Sequence, residues 1–172
     1  MRKTMEAISL GLLAVLFWIS YAALNGPERL PERIPTHFDI AGQPNAWGSL
    51  DFLWFLPCVA SGLYLLLTAL GSIRFRRFNL PVAVTESNLT FVQDQTMRMV
   101  AWVKCELLCL MTYLEWSIVQ SAHNGTFRLS PLLIPVSMAA IFATVGWHLA
   151  ALIRGARERA ESSNPAHMEN SR

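Results

Sequence analysis

Charge is scarce in this 172-residue chain: Asp, Glu, Lys and Arg make up 15% of it, against 53% hydrophobic residues. With a mean hydropathy of +0.34, that balance excludes an ordinary water-soluble globule, in which about a quarter of residues are charged. Cysteine is scarce too. The three cysteines, Cys58, Cys105 and Cys109, all fall inside apolar stretches, which excludes the disulfide framework of a small secreted domain. Cys105 and Cys109 share a helix face; buried thiols are the expected reading, with a metal site drawing on Cys58 or His148 as the minor alternative. Neither G-x-S-x-G nor H-E-x-x-H occurs, and Walker and Rossmann glycine patterns are missing. An enzyme is therefore not expected, and no catalytic residue, cofactor or metal is assigned. A basic stripe interleaved with aromatics is missing as well, so nucleic acid is not an expected partner.

What the chain has instead is long apolar runs. Four spans of roughly twenty residues, at about 5–24, 52–73, 99–119 and 132–153, match the length needed to cross ~30 Å of hydrocarbon. The expected fold class is an all-α membrane protein of four transmembrane helices. Basic residues flank the spans on one side: Arg2 and Lys3, then Arg74, Arg76 and Arg77, then Arg98, then Arg154, Arg157 and Arg159. The positive-inside rule makes that side cytoplasmic and puts both termini inside, which in a bacterium means the cytoplasmic (inner) membrane. Residues 25–51 and the turn at 121–130 then face outward. A cleaved signal peptide over residues 1–23 is the competing reading, but its apolar core exceeds the usual ~7–15 residues. The lipid bilayer is the first expected partner, and the basic segments suit anionic headgroups.

Within this frame Trp18 and Tyr21 fall at interfacial depth, Ser49 and Asp51 read as an N-cap and acidic first turn of the second helix, and Pro57 predicts a mild kink. Residues 74–98 form the cytoplasmic loop and a helix extension: 79–84 is extended through Pro81, and Thr85 reads as an N-cap. The resulting helix overshoots the bilayer, with Leu89, Val92, Thr96, Met99 and Val103 as its apolar stripe. The fourth span is rich in Ala and Gly, including Ala139, Ala143, Gly146 and Ala150, which predicts close packing inside the bundle, with homo-oligomerisation through this helix as the alternative. Residues 154–172 form a polar tail, disordered over the last dozen residues.

Residues 30–49, between the first two spans, are dense in Pro, Gly, His and Trp. Pro31 and Pro35 fix φ and favour an extended segment from Leu30 to Ile40. Gly42-Gln43-Pro44-Asn45 has turn residues, and Trp47-Gly48-Ser49 leads into the second helix. A short hairpin-like cap is expected. Alternation places Ile34, Phe38 and Ile40 toward the bundle and His37 and Asp39 outward. One His and one carboxylate fall short of a metal or catalytic set, so hydrogen bonding is the expected role of His37. Trp47 reads as an interfacial anchor.

The order Leu-Pro-Glu-Arg-Ile-Pro-Thr-His-Phe-Asp followed by Gly-Gln-Pro-Asn-Ala-Trp-Gly-Ser resembles the N-terminal domain of unknown function in a family of small bacterial membrane proteins. That family includes the immunity and signal-relay protein against the sporulation-delaying toxin. Asn79-Leu80-Pro81-Val82 and Thr85-Glu86-Ser87-Asn88 extend the likeness. The resemblance implies the membrane topology and marks Pro31, Pro35, His37, Phe38, Asp39, Gly42, Trp47 and Gly48 as motif positions. The toxin-immunity member is larger, with further membrane helices that have no counterpart here.

Ionisable residues inside a span cost ~2.5–3.5 kcal/mol each near its centre and are functional candidates by default. Lys104, Glu106 and Glu115 lie in the third span and His148 in the fourth. Lys104 and Glu115 share a face but stand ~16 Å apart along the helix. Lys104 is expected to snorkel toward the headgroups, Glu106 to point away from it, Glu115 to lie near the outer surface, and His148 to meet Glu106 across the bundle. The expected function is a binding, signalling or immunity-like accessory role, with a peptide or protein partner at the outer loop. The alternative is a small transporter or proton-coupled channel using the four intramembrane residues; a wet cavity converging on Glu106 and His148 would favour it, a dry interior under a structured cap the binding role.

Overall fold

The computed structural model describes residues 2–72, 82, 84–125 and 127–162. The Arg74, Arg76 and Arg77 cluster, residues 79–81 of the extended stretch and the tail beyond Ser162 lie outside the described residues. The chain is mostly helical, with a small two-stranded sheet: α1 (Arg2–Asn25), β1 (Arg33–Phe38), β2 (Pro44–Ser49), a 3-10 helix (Leu50–Trp54), α2 (Phe55–Ser72), α3 (Leu89–His123) and α4 (Leu133–Ser162). Among the described residues three helical segments are long and apolar enough to cross a membrane, Arg2–Asn25, Leu50–Leu70 and Leu133–Arg159. The third expected span lies in α3, whose apolar run is broken by charged residues.

The ends of these helices follow local chemistry. α1 stops at Asn25-Gly26-Pro27, where the Gly26 N–H donates to the Ala22 carbonyl at 2.8 Å, the Asn25 side-chain amide donates to the Tyr21 carbonyl at 3.0 Å, and Pro27 cannot continue the ladder. Ser49 precedes the 3-10 helix and its side chain makes no cap hydrogen bond, so the expected N-cap of α2 is displaced by one short helix. Pro57 consequently falls in the first turn of α2, where its missing N–H has no partner to lose. The expected kink has no cause there. Thr85 likewise is not the cap of α3: Asn88 is the N-cap residue, and its Oδ1 accepts from the Thr85 N–H at 2.8 Å. The helix starts three residues later than the capping pattern suggested.

α3 is the axis of the molecule, packed against α1, α2, α4 and β1. Hydrogen bonds join Lys104 to Glu6, Thr112 to Leu12 and Ser20 to Glu115, a near-constant sequence offset that makes α1 and α3 run parallel. Contacts of Gln95 with His148 and of Glu106 with Thr144 show α4 antiparallel to α3. The core forms three separate layers: Ile34, Leu53, Ile118 and Val119 at the hairpin end, Leu16, Ala60 and Leu108 at mid-height, and Val92, Leu152 and Ala156 at the far end. Of the apolar stripe expected at the start of α3, Val92 and Thr96 are buried.

α4 departs from expectation. Ala139, Ala140, Ala143, Gly146 and Ala150 are exposed, while Ile141, Thr144, Val145 and His148 turn toward α3. The small-residue face therefore points away from the bundle.

Candidate functional site

β1 and β2 pair antiparallel, Arg33 with Ser49 through Phe38 with Pro44, with irregularities between Pro35 and His37 and between His37 and Phe38. The turn lies at 39–43, earlier than the Gly42–Asn45 turn expected, and Asp39 organises it. Its Oδ1 accepts from the Ala41 N–H at 2.9 Å and the Gln43 N–H at 2.8 Å, while its own N–H donates to the Gln43 carbonyl and its carbonyl accepts from Gly42. This is the local side-chain-to-backbone bonding that makes Asp a turn residue. Pro35 stands opposite Trp47 and has no N–H to donate; the Trp47 carbonyl accepts from Arg33 Nη2 at 3.2 Å.

The back of the hairpin is locked down. Ile34 is fully buried against Leu53, Ile118 and Val119, and Phe38 packs on the same cluster. Gly42 sits at φ +74°, and its carbonyl accepts from the Leu129 N–H at 2.8 Å, tying the turn to the segment before α4. Gly48 allows the side chain of Thr36 to approach to within 2.7 Å of where a Cβ would be. Truncating the buried anchor tests this packing: Ile34→Ala is expected to cost about 2–4 kcal/mol, read as faster hydrogen exchange across 33–49. Unchanged exchange would show that the hairpin does not depend on it.

The front of the hairpin faces solvent. His37 is exposed, as the alternation predicted, and its Nδ1–H donates to Asn45 Oδ1 at 2.5 Å, leaving Nε2 as an outward acceptor. Ile40 is not on the bundle side: it is 96% exposed, because the backbone leaves the strand at Asp39 and the alternation ends there. Trp47 is 45% exposed. Pro31 lies exposed ahead of β1, while Pro35 is buried. The eight motif residues thus split into a buried set that fixes the hairpin and an exposed set that it presents.

The four intramembrane candidates do not converge. Lys104 is 1% exposed rather than snorkelled. Its Nζ donates to Glu6 Oε2 at 2.6 Å and to Thr68 Oγ1 at 3.0 Å, and lies 4.3 Å from the centre of the Tyr64 ring. The Tyr64 hydroxyl donates to the same Glu6 oxygen at 3.2 Å. Glu115 is fully buried, and Ser20 Oγ donates to its Oε1 at 2.7 Å. Glu106 turns away from Lys104 and accepts from Thr144 Oγ1 at 2.5 Å. His148 pairs with Gln95 at 3.2 Å instead of with Glu106, since Gln95 lies near the far end, where α4 descends past α3.

Glu6, Tyr64, Thr68 and Ser20 were missed as members of these clusters. Depth was the available signal: Glu6 and Lys104 each sit just inside the basic end of their spans, and Ser20 and Glu115 just inside the other.

Mostly helical, with apolar helices of membrane-crossing length and a small sheet at one end, the chain has the make-up of a membrane protein. A family model described as a domain of unknown function (DUF1648) matches residues 11–60, which hold most of α1, the whole hairpin and the first turns of α2. The chain is also similar to an uncharacterized protein of Archaeoglobus fulgidus, 36% identical over 73 residues that make up 42% of this chain and 39% of that protein. The chain thus covers about two fifths of the length of that relative. No solved structure matches.

Proposed function

We propose that the chain is a four-span inner-membrane protein, both termini cytoplasmic, that acts by binding through the outer face of its hairpin. In this reading it is an accessory module of signalling or immunity-like type, related to the toxin-immunity family through its loop motif, and not an enzyme. One observation carries it: Ile34 holds the hairpin's back to the helices and Gly42 ties its turn to Leu129, while His37, Ile40 and Trp47 are left exposed on the hairpin. A pre-organised surface of this kind lowers the ordering entropy that binding must overcome. The partner is a peptide or protein meeting an imidazole, an aliphatic tip and an indole.

The up-down-up-down course of α1 to α4 supports four crossings, with α3 shielded by its neighbours from lipid. The roughly 52 Å length of its 35 residues exceeds the bilayer, and the excess falls at the basic end. Transport finds less support. The Leu16, Ala60 and Leu108 layer separates the Lys104 cluster from Glu115, and Glu106 and His148 are engaged by Thr144 and Gln95.

With the native cysteines replaced by serine, Ile40→Cys is expected to react with a membrane-impermeant maleimide in intact cells and Arg157→Cys only after lysis; the reverse pattern overturns the orientation. A photo-crosslinker at position 40 is expected to give a discrete adduct whose yield falls about tenfold in His37→Ala/Trp47→Ala, as for contact hot spots. An undiminished adduct sinks the recognition surface.

A further inference from the structure

The two strands of the hairpin stand in different settings. β1 lies against α3 and the 3-10 helix and buries Ile34 and Pro35, whereas no residue of β2 is buried. β2 has β1 as its one strand neighbour, so alternate residues along it turn their N–H and C=O groups away from the ladder. Among the described residues no backbone group of Asn45, Ala46, Trp47 or Gly48 finds a partner beyond the hairpin itself, and the Trp47 carbonyl takes the Arg33 side chain. Native sheets usually blunt such an edge with charged side chains, proline or a covering segment. From Asn45 to Ser49 this edge has neither charge nor proline, and Pro44 stands only at its turn end. Ala46, Gly48 and Ser49 are small, which leaves room for another backbone at the ~4.8 Å spacing of a sheet.

A groove adjoins this edge. Thr36 and Gly48 meet on one face of the sheet, where the Thr36 side chain occupies the space that a Cβ on Gly48 would need. From them a groove of about 680 Å³ runs past Ser49 to Phe52, Trp54 and Phe55. Its far wall is aromatic: Phe52 and Phe55 stack with ring centres 5.1 Å apart, and Trp54 and Phe55 are exposed. A chain laid along β2 would turn every second side chain to this face, and the one opposite Gly48 would come over the groove. Unpaired backbone groups at a repeat of two residues are complementary to an extended peptide, and the aromatic groove is complementary to a bulky apolar side chain at one position of it. A second copy of β2, paired antiparallel about Trp47, would set Ala46 opposite Gly48, and a methyl group leaves a groove of that volume unfilled. The complementary occupant is a different chain.

We infer that β2 is a docking edge for an extended peptide segment of a partner protein, which adds a third strand to the hairpin and places one large apolar side chain in the groove beside Gly48. The inference rests on the reading of the hairpin as a recognition surface and gives the form of its partner. Main-chain pairing along β2 supplies affinity, and the groove selects the side chain.

The test pans a phage-displayed library of random heptapeptides against the full-length chain in lipid nanodiscs. Selected peptides are expected to combine β-branched residues with one large apolar residue, and to slow amide exchange within residues 45–49. Ala46→Lys, which puts a charge on the exposed edge, and Cys58→Trp, which fills the groove from α2, are each expected to weaken their binding at least about tenfold, as clashes built against a bound strand do. N-methylation of alternate residues of a selected peptide leaves its side chains and the native chain untouched. It is expected to weaken binding about tenfold or more in the register that removes the donors facing β2, and little in the other. Failure to select any peptide, protection confined to other segments, equal binding in both methylation registers, or an Ala46→Cys disulfide joining two copies in place of peptide binding would each overturn the edge. A discrete adduct from position 40 alongside an edge that takes no peptide would sink this inference alone, whereas loss of both would sink the recognition reading with it.

Discussion

Glu6→Gln is expected to lower the stability of the helix bundle by about 3 kcal/mol, the largest effect expected of any single charge removal in the chain. The reason lies on the other side of the pair. Lys104 is 1% exposed, and with the Glu6 carboxylate gone its ammonium keeps only the Thr68 hydroxyl at 3.0 Å and the face of Tyr64. A buried ammonium in that setting has lost the one group that offsets its desolvation. Glu6 is itself 35% exposed, so water at that end of the pair holds the effect toward the lower part of the 3–5 kcal/mol range for breaking buried pairs. The double variant Glu6→Leu/Lys104→Met removes both charges and fills similar volume, and is expected to recover to within about 1 kcal/mol of the native chain. Equilibrium unfolding in mixed detergent micelles, followed by far-ultraviolet circular dichroism, measures both. A loss below about 0.5 kcal/mol for Glu6→Gln would place the pair among solvated surface pairs and refute its role in joining α1, α2 and α3.

That pair marks the limit of what the linear sequence shows. The hairpin was legible, with its turn set a few residues too late, because its determinants are local: Asp39 and Gly42 make the turn, Pro35 and the β-branched residues around it hold the strand extended, and all lie within a few residues of their effects. The lengths of α1 and α2 were legible for the same reason, whereas α4 runs on to Ser162, nine residues into what the polar composition had marked as tail. Ile40 was misplaced because a period of two holds only while the strand lasts, and Asp39's own hydrogen bonds end it one residue earlier. The partners of Lys104 and Glu115 come from residues 98 and 95 positions away. Nothing local in α3 names them. Only the parallel course of α1 and α3 brings Glu6 and Ser20 to the right depth, and that course is a property of packing. The outward small-residue face of α4 was hidden likewise, since spacing defines a face but not the direction in which it looks.

Gly42→Ala is expected to release the hairpin while leaving the helices in place. At φ +74° a side chain is strained by about 1 kcal/mol, and here strain is the smaller part. A Cβ on residue 42 would lie 1.7 Å from the Leu129 carbonyl oxygen and 2.7 Å from its carbon, and backbone on both sides leaves no flexible group to move away. The turn must therefore retreat, which breaks the 2.8 Å hydrogen bond from the Leu129 N–H to the Gly42 carbonyl and draws Ile34 and Phe38 out of their contacts. A local loss of about 2–4 kcal/mol follows from strain, a lost hydrogen bond and partial exposure of the anchors. In hydrogen exchange that is about a hundredfold faster exchange over residues 33–49, with the α1–α3 interface unchanged, since such openings are confined to the unit that loses its contacts. Gly11→Ala is the matched control: no atom lies within 4 Å of its added Cβ, and in mid-helix it is expected to be neutral or to stabilise by up to about 1 kcal/mol. If the hairpin recognises a partner, Gly42→Ala must also lose the adduct formed from position 40 while Gly11→Ala keeps it. Full adduct yield from an undocked hairpin would mean that recognition needs only the exposed side chains and not the shape in which α3 and Leu129 hold them.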